Sequence, residues 1–162
     1  MTGKRMNVLL TTLFASLESN YVELPLLKNW ADQCIESTKQ PSRWLIDLSL
    51  ASSTENALDI LRLALPEYGV MLDQSYGKLL LGFLYQRLNK GGLSREDFDT
   101  ECIDIIDAYE VHELDGSEIV DGSLSASLTK SLKIWATTSG DSLNRVFEMR
   151  FNGEETLALG VT

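Results

Sequence analysis

The segment from Asp73 to Lys90 has the spacing of an α-helix that is apolar on nearly every side. Such a helix has no polar face to turn toward water, so we expect it at the centre of a helical protein. Gly77 and Gly82 lie within it, where each costs about 1 kcal/mol of helix propensity relative to alanine. We therefore expect neighbouring helices to approach closely at both glycines. The apolar residues are Tyr76, Leu79, Leu80, Leu81, Phe83, Leu84, Tyr85 and Leu88.

Helical spacing also fills most of the chain before this segment. A helix is predicted to begin at Pro25, because a proline in the first turn loses no hydrogen bond. The sequence Ser52-Ser53-Thr54-Glu55 predicts another start, with Ser52 and Glu55 as the reciprocal pair of a capping box. A length of 162 residues fits one domain. The predicted fold is therefore mainly α: a single-domain bundle, residues 1–162, of about six to seven helices.

The C-terminal segment has a different pattern. A last helix is predicted through Leu124, Leu128, Leu132 and Trp135, and after Gly140 the apolar residues alternate with polar ones. This alternation favours a β-hairpin within residues 140–162, with Asn152-Gly153 at its turn. A helix from Ser142 to Phe151 is the alternative.

The two cysteines and the apolar segments bear on location. Cys34 and Cys102 fall on the apolar sides of predicted helices, where cysteine behaves as a small buried hydrophobe, and their spacing matches no disulfide framework. Met6 to Ala15 is interpreted as a first core helix rather than a signal peptide, and no apolar segment approaches the ~20 residues that span a bilayer. The expected location is cytoplasmic, without membrane contact.

Residues suited to catalysis are scarce. His112 is the only histidine, which removes most triads and multi-histidine metal sites, and a surface role is the simpler interpretation. Asp97-x-Asp99-x-Glu101 has the opening of a calcium loop, but Cys102 replaces its glycine. We expect no catalytic residue, no metal site and no cofactor. Trp30, Trp44 and Trp135 are expected in or beside the core, because no basic patch surrounds them to bind nucleic acid.

Negative charge is concentrated in one segment. Residues 96–129 contain eleven carboxylates and no lysine or arginine, whereas the other 128 residues contain fourteen basic and thirteen acidic side chains. The formal net charge of −10 therefore arises entirely in this segment. Such a concentration attracts and orients a basic partner.

Most of these acids belong to a predicted helix from Ser94 to Glu110. Ser94 is its expected N-cap, and an apolar stripe of Phe98, Cys102, Ile105, Ile106 and Tyr109 is expected to face the core. The carboxylates then occupy the rest of the helix and the acidic loop that follows. The predicted partner-binding residues are Asp97, Glu101, Asp104, Asp107, Glu110, Glu113, Asp115 and Glu118.

Three segments are similar to a known class of proteins: Trp30 to Glu36, Pro41 to Ala51, and the acidic helix from Ser94 to Glu110. With the size, the charge and the lack of catalytic groups, they resemble immunity proteins of bacterial contact-dependent inhibition and related polymorphic toxin systems. The resemblance implies a protein, monomeric or weakly dimeric, that neutralises one cognate basic toxin. The implied toxin is a nuclease, with RNase favoured over DNase, and the acidic surface is expected to cover its active site.

Three other functions fit the same residues. A nucleic-acid mimic would bind several DNA-binding proteins through the acids. A helical adaptor for a non-toxin complex would show weaker salt dependence and an exposed apolar patch. An enzyme that uses His112 or the acidic cluster would lose turnover on a single substitution.

Overall fold

The computed structural model describes residues 2–111, 119–120 and 123–149, and over these residues the predicted mainly helical fold is confirmed. The α-helices are α1 (Thr2–Glu18), α2 (Leu24–Glu36), α3 (Arg43–Ser49), α4 (Thr54–Ala64), α5 (Gln74–Asn89), α6 (Arg95–Ala108) and α7 (Ala126–Met149). A 3-10 turn, Leu65–Tyr68, follows α4. Strands β1 (Ile119–Val120) and β2 (Ser123–Leu124) pair antiparallel, with Ile119 opposite Leu124.

The chain groups into two compact units. The first contains the chain up to Met71 together with the end of α7 from Ser142. The second is the continuous stretch Leu72–Asp141, which holds α5, α6, the strand pair and the beginning of α7. A single domain over residues 1–162 stays a prediction.

In the first unit, α2 packs on α3, and α4 packs on both α1 and α3. The buried faces of α1 and α2 supply much of its core, including Phe14, Leu27 and Trp30. Trp30 is fully buried, and its indole Nε1 donates a hydrogen bond to the carbonyl of Val146 on α7 at 3.2 Å. This bond joins residues 116 positions apart in the sequence.

The N-terminus of α4 differs from the prediction by one residue. Its N-cap is Ser53, whose Oγ accepts the backbone N–H of Asn56 at 3.1 Å, and the Asn56 Oδ1 accepts the backbone N–H of Ser52 at 3.1 Å. The predicted pair, Ser52 with Glu55, is therefore wrong. Starting the helix at Thr54 places Ala57 and Leu61 in the core, both fully buried.

This geometry predicts opposite outcomes for two adjacent serines. Ser53→Ala should lower the free energy of unfolding by about 1 kcal/mol, because it removes the oxygen that caps the helix. Ser52→Ala should change it by less than about 0.5 kcal/mol, because Ser52 takes part through its backbone N–H, which alanine keeps. Urea denaturation followed by circular dichroism measures both. If Ser52→Ala lowered the free energy of unfolding more than Ser53→Ala did, Ser52 would be the N-cap, as the sequence predicts.

The tryptophans of the first unit form a second matched pair. Trp44 is buried like Trp30, with 6% of its surface exposed, but its Nε1 has no hydrogen-bond partner in the described part of the chain. Trp30→Phe and Trp44→Phe remove the same volume, yet only the first breaks a buried hydrogen bond. We expect Trp30→Phe to cost about 1 kcal/mol more in free energy of unfolding, measured by urea denaturation. Equal losses would show that the bond to Val146 contributes no net stability.

The second unit contains the predicted helix over this segment, and much of the helix surface is buried. α5 begins after Asp73, whose carboxylate accepts the backbone N–H groups of Ser75 and Tyr76, and Lys90 is its C-cap. Its buried residues spread around the helix, as expected. They are Tyr76, Gly77, Leu80, Leu81, Gly82, Phe83, Leu84 and Tyr85.

Both glycines of α5 lie where neighbouring chain segments come close, as predicted. A Cβ on Gly77 would lie 2.7 Å from the Cβ of Tyr109, and one on Gly82 would overlap Ser139 and the backbone carbonyl of Trp135. Hydrogen bonds tie α7 to α5 beside this contact. The Ser139 hydroxyl donates a hydrogen bond to the backbone carbonyl of Leu79 at 3.0 Å.

α7 corrects the prediction for the C-terminal segment. The helix continues past Gly140 to Met149, so the predicted hairpin is wrong for residues 140–149 and the helical alternative is right there. Leu132, Ala136, Leu143 and Val146 are buried at helical spacing, and this long pattern outweighs the short alternation at Phe147. The helix begins at Ala126, so Leu124 lies in β2 instead. Residues 150–162 lie outside the described part of the chain.

Candidate protein-binding surface

α6 is fixed to the second unit by its cap and its apolar stripe. The Ser94 Oγ accepts the backbone N–H of Asp97 at 3.1 Å, as predicted, and Ser94 also donates to the Asp97 carboxylate at 2.8 Å. Phe98 and Cys102 are fully buried, and Ile106 is 3% exposed. They pack in one cluster with residues of α5 and α7. The predicted stripe is therefore confirmed, and the opposite face of α6 is held outward.

Aromatic contacts fix both ends of this stripe. The rings of Phe98 and Tyr85 lie 6.3 Å apart between centroids. At the other end, Tyr109 meets the buried Tyr76 edge to face at 5.1 Å and lies against Gly77. Ile105 and Tyr109 are half-buried on the same cluster. The backbone of α6 is thus anchored along its whole length.

The described members of the predicted binding set all lie exposed: Asp97, Glu101, Asp104, Asp107 and Glu110. We call these five residues the α6 acidic surface. Glu110 departs from the prediction in its backbone, because α6 ends at Ala108 with Tyr109 as C-cap and Glu110 has a φ of +49°. Its side chain is therefore presented from a left-handed turn rather than from the helix. Glu113, Asp115 and Glu118 lie outside the described residues, as does His112.

Among the described residues, no cation lies close enough to neutralise the charges of the α6 acidic surface. Asp99 forms an ion pair with Arg95 at 2.7 Å, and it does not belong to the surface. Glu101, Asp104 and Asp107 form no ion pair within the described ranges of the chain. Their negative field consequently extends into solvent, where it is screened within about 8 Å at physiological ionic strength.

Asp104 and Asp107 occupy positions that do not serve the stability of α6. Glu96 and Asp97 lie in the first turn, where the helix dipole favours negative charge. Asp104 and Asp107 lie in the second half, where the dipole disfavours it, and the last turn has no basic residue. Acids three or four residues apart also repel, by roughly 0.2–0.5 kcal/mol per pair. Residues that weaken the element on which they lie are typical of a functional surface.

Ile103 is an exposed apolar residue among these acids, and the sequence reasoning missed it. Its side chain is 37% exposed, four residues before Asp107 and one residue before Asp104. At 100° per residue it falls outside the arc of the apolar stripe. An apolar residue outside this arc is expected to be exposed, and this is the sequence signal that identifies Ile103.

The other residues singled out in the sequence are the possible metal ligands, the cysteines and the tryptophans. Within the described ranges, no group of three or more His, Cys, Asp or Glu residues is arranged to hold a metal ion. Cys34 and Cys102 are fully buried, as predicted. Trp30 and Trp44 are buried and Trp135 is half-buried, which confirms their expected place in or beside the core.

Among the described helices, none combines the length and the apolar character needed to cross a bilayer. No protein-family model, no curated protein and no solved structure matches the chain.

Proposed function

We propose that this chain is an immunity protein that binds one cognate basic toxin domain through the α6 acidic surface. The toxin is a nuclease, RNase before DNase, and the bound chain covers its active site. One observation carries the proposal: exposed carboxylates, which form no ion pair with the described residues, project from a helix that is capped and anchored in a core. The chain itself is assigned no catalysis.

The chemistry of a nuclease explains why such a surface fits it. An enzyme that holds a nucleic acid carries lysine and arginine side chains around its active site to neutralise phosphates. Carboxylates at comparable spacing bind the same cations, so a surface that occupies them excludes the substrate. Because opposite fields also steer diffusion, the acids raise the association rate as well.

The rigidity of α6 supports tight binding. A flexible acidic segment loses conformational freedom when it binds, which reduces the net affinity. Ser94 and the buried Phe98, Cys102 and Ile106 already fix the backbone that carries Asp104 and Asp107. Binding therefore does not require the helix to become ordered, and the affinity is not reduced by that loss of conformational entropy.

Ile103 supplies an apolar contact within the charged surface. Residues that contribute most to binding usually lie in a desolvated centre, with polar residues forming the rim. Ile103 is placed to be such a centre, because Asp104 and Asp107 lie beside it on the outer face of α6. In this arrangement the acids govern association and the isoleucine slows dissociation.

An aspartate substitution separates these two contributions. Ile103→Asp removes the apolar contact but adds a negative charge, so we expect the association rate to be kept and the dissociation rate from the toxin to rise about tenfold. Ile134→Asp is the matched control, since Ile134 is 56% exposed on α7 and the charge change is the same. Both rates are measured by surface plasmon resonance. Equal dissociation rates for the two variants would remove Ile103 from the interface.

The proposal as a whole is tested by capture and inhibition. The immobilised chain is incubated with a lysate of its source cells at low salt, and bound proteins are eluted as salt rises to a few tenths molar. We expect one basic protein that cleaves RNA, and whose cleavage stops when the free chain is added in equimolar amount. Several DNA-binding proteins would indicate a nucleic-acid mimic instead. A partner without nuclease activity, released only weakly by salt, would indicate an adaptor.

A further inference from the structure

We draw no further inference here: the strongest candidate, the outer face of α7 on which Ile134 lies 56% exposed one turn after Lys130, is an unpartnered helix face, and nothing in the structure shows what covers it.

Discussion

Changing Asp104 and Asp107 to lysine is expected to lower the association rate with the basic partner by about tenfold or more at low salt. The two substitutions reverse the charge in the second half of α6, where both side chains are exposed and form no ion pair within the described ranges. The dependence of the association rate on ionic strength should weaken in parallel. Stopped-flow or surface plasmon resonance measurements over a salt series determine both quantities.

The same variant is expected to be slightly more stable than the natural chain. Lysines near the C-terminal end of α6 relieve the repulsion among its acids and interact favourably with the helix dipole, by roughly a few tenths of a kcal/mol. Binding and stability should therefore change in opposite directions. This combination distinguishes a damaged binding surface from a damaged fold, which would lower both quantities.

A second double variant controls for total charge. Asp32→Lys with Glu36→Lys changes the net charge by the same amount, and both side chains are exposed on α2. We expect its association rate to stay within about twofold of the natural value, because these acids lie on a helix outside the acidic segment. If both variants slowed association equally, the overall charge would be the cause. If neither variant slowed association, the α6 acidic surface would not be the binding surface.

The largest loss of stability is expected from Gly82→Ala. The added Cβ would overlap Ser139 and the backbone carbonyl of Trp135, and a backbone carbonyl in a helix cannot move away as a flexible side chain can. Overpacking of this kind costs about 1–3 kcal/mol, occasionally more, and exceeds the gain of about 1 kcal/mol in helix propensity. Urea denaturation followed by circular dichroism should show a clearly lower midpoint.

Gly92→Ala is the matched control for this substitution. Its Cβ would meet only the carbonyl of Arg87, at an ordinary contact distance of 3.7 Å. We expect its midpoint to stay close to that of the natural chain. A midpoint for Gly82→Ala that matched this control would mean that α5 and α7 do not approach as closely as described.

The sequence was enough to predict the helix starts and the buried stripe, because these depend on residues close together in the chain. The start of α5 after Asp73 and the cap of α6 at Ser94 depend on side chains within one helical turn. The buried stripe of α6 follows from spacing alone. Hence the exposed acidic face of α6 was located from the sequence.

The features that were missed depend on contacts distant in the sequence. Val111 lies in the irregular segment after α6, as the sequence predicts, but its burial in the cluster of the second unit, at 1% exposed and beside Gly77, has no local signal. The continuation of α7 past Gly140 depends on burial of Leu143 and Val146 by the first unit, which no local window contains. Glu110 takes a left-handed backbone that its residue type does not favour.

The division of the chain between the two units has a consequence for its synthesis. The second unit is one continuous stretch, Leu72–Asp141, so all of its residues are synthesised before the end of α7 that belongs to the first unit. The first unit needs the end of α7, because Val146 must be present to accept the indole N–H of Trp30. The acidic surface and the core that anchors it are therefore synthesised as one stretch, whereas the helices synthesised first complete their core only after the end of α7 has been added.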